Sequence, residues 1–137
     1  MKKTITVLAV LIASLSACGS EESKCEPGEG AYLTLSSLPD PAVALPNGVE
    51  AIKIIATGQD DECEPIAVGT AIEFSLGDQD PEGVGYFPND QVEITRSFDA
   101  MAADTEVKSR LAGTAKVHGF CQAYNLTTLP LDVEFSN

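Results

Sequence analysis

The chain has 137 residues, room for one domain, and 44% of them are hydrophobic, enough to build a folded core. Twenty-one acids face eight bases, a formal charge of −13 at pH 7; that imbalance repels polyanions and makes nucleic acid or an anionic lipid surface a poor partner. One histidine and no tryptophan narrow the catalytic options.

Met1-Lys2-Lys3 forms a short positive head, and residues 5–15 form an apolar run of 11 broken only by Thr6 and Ser14. Spanning a bilayer takes about 20 such residues, so the run fits the apolar centre of a secretory signal. It ends in Leu15-Ser16-Ala17-Cys18, followed by Gly19. This tetrapeptide resembles the lipobox of bacterial lipoproteins. The resemblance implies cleavage after Ala17, so that 1–17 is a signal peptide. It also implies a diacylglyceryl group on the Cys18 thiol and an acyl chain of the palmitate type on its freed amine. Several chains hold far more firmly than one, since each buried CH₂ contributes about 0.8 kcal/mol. Gly19 stands where Asp would mark inner-membrane retention, which resembles the outer-membrane class of a Gram-negative envelope. Losing Lys2 and Lys3 leaves six bases against 21 acids, a charge of −15.

Residues 19–30, GSEESKCEPGEG, are polar, contain Gly and Pro, and lack large apolar side chains. With Cys18 they read as an acidic flexible linker over 18–30. Twelve residues reach at most about 40 Å.

From Tyr32 onward, short runs alternate apolar and polar residues between turn residues, which predicts an antiparallel β-sandwich over 31–137. A first strand is expected at 32–36, broken by Pro39 and Pro41 and resumed at 43–45. After a turn at Pro46-Asn47-Gly48, a strand at 49–57 places Ile52, Ile54 and Ala56 on one face and Ile55 on the other. Residues 58–69 form an acidic loop holding Cys63. The alternation at 70–76 is the clearest, with Ile72, Phe74 and Leu76 facing one way. A second acidic loop follows at 77–85, then a short edge piece at Tyr86-Phe87 stopped by Pro88. The strand at 91–95 puts Val92 and Ile94 inward. A bulge or strand end is expected at Arg96, because continued alternation would turn that charge toward the core. Residues 98–104 read as a helical turn or irregular loop. A strand at 105–111 puts Val107 and Leu111 inward. The next, at 113–121, puts Ala115, Val117, Gly119 and Cys121 on one face and Lys116, His118 and Phe120 on the other. A hairpin loop at 122–127 leads to a last strand at 129–135. There Leu129, Leu131, Val133 and Phe135 point inward, while Asp132 and Glu134 face out and guard the edge against pairing.

Seven strands in roughly 105 residues is an Ig-like count. The order NGVEAIKIIATGQDDECEPIAVGTAIEFSL, GYF, DTEVKSRLAGTAKVHGF resembles the bacterial Ig-like domains of the invasin/intimin kind. Gly48 stands before the second long strand and the 58–69 loop follows it. Residues 70–74 occupy the place of the family's G-x-x-V-x-F-type strand, and Gly113-Thr114-Ala115-Lys116-Val117 matches its Gly-Thr-Ala-x-Val strand. The resemblance covers about 32–137. It departs at Cys63-Glu64-Pro65, where the family has a tighter Asn/Gly-Pro turn. It implies an Ig-like antiparallel β-sandwich of about seven strands. In the family such domains repeat as rigid arms bearing a separate adhesive tip. One domain and no tip are read here, so adhesion does not carry over.

Beyond Cys18, Cys25, Cys63 and Cys121 remain, and export places them in an oxidising compartment. In Ig topology the strand before Cys63 and the strand ending at Cys121 finish at one pole, so a Cys63–Cys121 disulfide is the favoured pairing. The first strand starts at the same pole, which keeps Cys25 in reach and the other pairings open. Zinc held by the cysteines and His118 is disfavoured: no C-x-x-C spacing exists, and His118 and Cys121 have opposite parity on one strand. Asp78-Gln79-Asp80-Pro81-Glu82-Gly83 mimics the start of an EF-hand loop, but the twelfth position is Asn89 and no helices flank it. A looser calcium site from Asp78, Asp80 and Glu82, or from Asp60, Asp61 and Glu62, is a weak candidate. His118 reads as a surface residue, and no nucleophile-elbow signature accompanies it.

These readings predict a lipid-anchored bacterial envelope protein, held at a membrane through Cys18, at the outer membrane if the cell is Gram-negative. They predict no enzyme activity, no cofactor, no nucleic-acid partner, and a structural or interaction role toward a protein in the envelope. The alternative is a calcium- or small-ligand-binding surface lipoprotein that uses the acidic loops.

Overall fold

The computed structural model describes residues 30–137. The expected signal peptide, the lipid-bearing Cys18 and the linker up to residue 29 lie outside the described residues. Ten strands follow in chain order: β1 Tyr32–Leu38, β2 Val43–Ala44, β3 Ile52–Gln59, β4 Ala71–Asp80, β5 Gly85–Tyr86, β6 Glu93–Ser97, β7 Ala102–Ser109, β8 Gly113–Cys121, β9 Leu126–Thr127 and β10 Leu131–Phe135. Among the described residues there is no α-helix, only 3-10 turns at Pro88–Asp90 and Gln122–Tyr124.

The strands form two sheets, in the orders β1-β3-β7-β5 and β2-β10-β8-β4-β6, with β9 also paired to β8. All pairs are antiparallel except β2 with β10. The first segment serves both sheets: β1 pairs with β3, and after Pro39 and Pro41 β2 pairs with β10. Proline cannot donate to a ladder, so the change of sheet falls where no donor is needed. This all-β sandwich is the fold class the alternation predicts.

Period two builds the core. Ile52, Ile54 and Ala56 of β3, with Ala103 and Val107 of β7, face Ile72 and Phe74 of β4, Ala115, Val117 and Cys121 of β8, and Val133 and Phe135 of β10; all are buried. Each large aliphatic or aromatic side chain removed from water contributes about 1.5–3 kcal/mol. Phe74 and Phe87 lie with ring centroids 6.5 Å apart and planes tilted by 54°, an arrangement aromatic quadrupoles favour.

Several expectations need correction. Of the bulge or strand end expected at Arg96, no bulge forms, Ile72 standing opposite Arg96 and Ala71 opposite Ser97 in unbroken register, and the strand ends one residue on, at Ser97. Arg96 does share the face of Ile72, but β6 is the outermost strand, and the long side chain is exposed past the sheet edge. The register shift lies in β4 instead, between Gly77 and Asp80, where Asp78 takes φ 44°. Residues 98–104 hold no helical turn. Asp99 and Ala102 exchange backbone hydrogen bonds across Ala100 at φ 60°, and Phe98 is buried in the core.

Three residues expected inside are exposed: Val92, Leu111 and Leu129. Val92 precedes β6, and its carbonyl accepts the Leu76 N–H of β4 at 3.0 Å. Before Leu111 the strand ends at Ser109, whose Oγ donates to the Leu111 carbonyl at 2.6 Å and accepts its N–H at 2.9 Å. After Leu129 comes Pro130, without an N–H, so the ladder with β8 starts at Leu131.

The sandwich has two poles. At one lie Tyr32 at the start of β1, the 60–70 loop, the 99–102 turn and the end of β8. At the other lie the ends of β1, β7 and β10.

Candidate functional site

Among the described residues no group of three His, Cys, Asp or Glu side chains converges to hold a metal. Asp78 and Asp80 straddle the irregularity of β4 and Glu82 follows in the next turn; all three are exposed. The other acidic loop is committed to its own backbone. Asp60 Oδ1 accepts the N–H groups of Glu62 and Glu64, both at 2.9 Å. The Asp60 N–H donates to the Glu64 carbonyl at 2.8 Å, and the Cys63 N–H donates to the Asp60 carbonyl at 3.1 Å.

His118 lies on β8. It stands opposite Ser75 in the β4–β8 ladder, with its ring against Gly77. No hydrogen bond joins it to a serine or a carboxylate among the described residues. Among the described residues, the ion pair of this sheet lies on its surface. Lys116 Nζ donates to Asp132 Oδ1 at 2.6 Å. That hydrogen bond, the charge of Asp132 and the charge of Asp78 together hold the Lys116 ammonium above its ordinary pKa. At the pole where β7 ends, the Arg110 guanidinium lies 4.4 Å from the centroid of the Tyr86 ring and 3.4 Å from Asp90 Oδ1. This is a cation–π contact with an exposed ion pair on its rim, worth little to stability.

The pole where β1 begins differs. A groove of about 670 Å³ lies between Tyr32, the Gly58-Gln59 end of β3, the Cys63-Glu64-Pro65 turn and Met101. The Asp60 turn holds Cys63 at φ 67°, half-buried on the groove wall. Ile66, two residues past the turn, is buried and seals the loop onto Gly58.

The expected Cys63–Cys121 disulfide is not formed. Cys121 is a free thiol, fully buried, whereas Cys63 is disulfide-bonded. The two ends do share a pole, but not a side of the wall. Cys121 continues the inward set of Ala115, Val117 and Gly119 on β8, while the Asp60 turn leaves Cys63 half-buried on the groove wall and Ile66 takes the inward position.

No family model and no curated protein matches the chain. Solved structures do. The D00-D0 domain of intimin is 16% identical with a TM-score of 0.55, over 83% of this chain and 51% of that one. The D0-D1 domain of intimin is 15% identical with a TM-score of 0.56, over 82% and 51%. The Yersinia pseudotuberculosis adhesin InvE is 19% identical with a TM-score of 0.53, over 77% and 26%. The fold is that of the invasin/intimin-type bacterial Ig-like domains. This chain spans about half the length of the two intimin structures it matches, and at these identities the likeness concerns the fold.

Within this Ig-like domain, the groove beside Cys63 was not foreseen. One signal pointed to it: Ile66 and Val68 are large apolar residues in an acidic loop, and Ile66 is the one that folds back onto the sheet. The parity of Cys121 on β8 likewise marked that thiol as interior.

Proposed function

We propose that this chain is a lipid-anchored, non-catalytic Ig-like module of a bacterial envelope, acting as a structural or interaction unit. The observation that carries the reading is Leu15-Ser16-Ala17-Cys18 behind a short apolar run, leading through a polar segment to a strand that starts at one pole of a sandwich. Residues 1–17 are then removed, Cys18 holds the lipid, 18–30 is the tether and 31–137 is the cargo. Gly19 favours the outer membrane in a Gram-negative cell. The non-catalytic part is supported by His118, which has no hydrogen bond to a serine or a carboxylate among the described residues. The role of the domain toward an envelope partner rests on fold analogy, and folds host many roles.

The test is the intact mass of detergent-extracted protein. Loss of residues 1–17 with added acyl mass is expected, and a Cys18→Ala variant should move from the membrane to the soluble fraction. An uncleaved chain, or a cleaved one without acyl mass, would refute the anchor.

A further inference from the structure

The groove beside Cys63 lies where the chain enters β1. Cys63 is disulfide-bonded, Cys121 is a buried free thiol, and the sequence holds four cysteines. A bond within the chain therefore leads to Cys18 or Cys25. We propose that Cys25 is the partner, and that the residues around it lie in the groove between Tyr32, Cys63 and Met101, clasping the segment before β1 to the β3–β4 loop. The choice of Cys25 rests on the anchored reading, in which the Cys18 thiol is a thioether to lipid and has no sulfur valence to spare.

Reach and placement agree. Tyr32, seven residues after Cys25, pairs with Gln59, four residues before Cys63, and both pairing residues line the groove. Seven residues extend at most about 25 Å, so Cys25 cannot stray far from this pole. The Asp60 turn is fixed by its own hydrogen bonds and presents Cys63 toward the side from which the chain enters β1. Tyr32 and Met101 leave much of their apolar surface uncovered there, and the incoming segment is the chain placed to cover it.

Formation of the bond removes the two thiol protons and two electrons. These pass to a disulfide-donating protein oxidant of the export compartment, whose own disulfide becomes a dithiol. The clasp changes the geometry of the anchor. The free tether shrinks from the twelve residues 19–30 to the six residues 19–24, and its reach falls from about 40 Å to about 20 Å. The acidic β3–β4 pole is then held toward the lipid, and the pole bearing Tyr86, Asp90 and Arg110 faces outward to meet other molecules.

Detergent-extracted full chain, alkylated in denaturant and digested without reduction, tests this. A Cys25–Cys63 cross-linked peptide pair is expected, with Cys121 as the alkylated thiol. Alkylated Cys25, or Cys63 joined to Cys18 or to a second chain, would overturn the clasp. The mass of the Cys18 peptide is read separately: an unacylated Cys18 beside an intact Cys25–Cys63 pair removes the anchor and leaves the clasp. In a Cys25→Ser/Cys63→Ser chain, amide exchange across 58–65 should quicken at least tenfold while β8 is unchanged. Unaltered exchange in that loop would remove the groove as the docking place.

Discussion

Gly58 packs directly against the Tyr32 carbonyl oxygen, so closely that no Cβ fits between them. The neighbours that a Cβ would also press, Ile66 Cδ1 at 3.1 Å and Leu33 Cα at 3.2 Å, close off the alternatives. This contact lets β1 seat against β3 at the pole where the chain enters the sandwich. Gly58→Ala should cost about 2–3 kcal/mol, the upper part of the range for overpacking a tight site. Gly69, at φ +91° with open space around it, provides the control: Gly69→Ala meets only backbone strain, about 1 kcal/mol. Urea unfolding of the two variants side by side should rank them in that order. Equal losses would mean that the β1–β3 seat yields more easily than its geometry implies.

The sandwich was legible because its central strands obey period two over most of their length. Ile52-Ile54-Ala56 on β3 and Ala115-Val117-Gly119-Cys121 on β8 declare their inward face directly. Legibility failed at the ends of strands, where local chemistry overrides the pattern. Leu129 continues the alternation of β10 on paper, yet Pro130 breaks the ladder and leaves it 87% exposed. Phe98 was hidden by the small residues Ala100, Ala102 and Ala103 after it, which suit a helical turn as well as the hairpin turn that forms. The disulfide was misassigned because sharing a pole does not determine side-chain direction, and a turn built on one aspartate side chain decided where Cys63 points. Nothing in the sequence alone announces that turn.

Thr105 points into the core from β7 between Ala103 and Val107, and its hydroxyl finds no protein partner. A buried hydroxyl without a hydrogen bond gives up its hydration for nothing in return. Thr105→Val keeps the branched shape that suits a strand and removes the polar atom. The expected outcome is a gain of about 1 kcal/mol, read as a higher urea midpoint with an unchanged slope. A loss of stability would show that the hydroxyl is satisfied by water.

Cys121 behaves as a small apolar side chain at the end of β8. Cys121→Ser should therefore destabilise by about 1–3 kcal/mol, since it buries a stronger hydrogen-bonding group among apolar neighbours. Cys121→Ala should cost less. In the native protein this thiol should resist alkylation and react on unfolding, which gives a direct reporter of global opening. Rapid native labelling of Cys121 would contradict its position in the core.

Lys116 and Asp132 stand opposite each other on β8 and β10, joined by the 2.6 Å hydrogen bond from Nζ to Oδ1. The hydrogen bond to Asp132, then its charge, then the charge of Asp78 raise the Lys116 pKa above 10.5. A lysine whose folded pKa is raised binds its proton more firmly in the folded state. Its contribution to stability is thus fully present below pH 10.5 and is lost as pH climbs through the folded pKa. The pair is solvent-exposed, so salt should weaken it. Asp132→Asn should lower the Lys116 pKa in an NMR titration of its side chain, with 1 M salt producing a shift of the same sign in the native protein. Any stability difference between the variant and the native chain should hold at neutral pH and fade above pH 10.5. A Lys116 titration unmoved by Asp132→Asn would mean that the pair seen across β8 and β10 does not persist in solution.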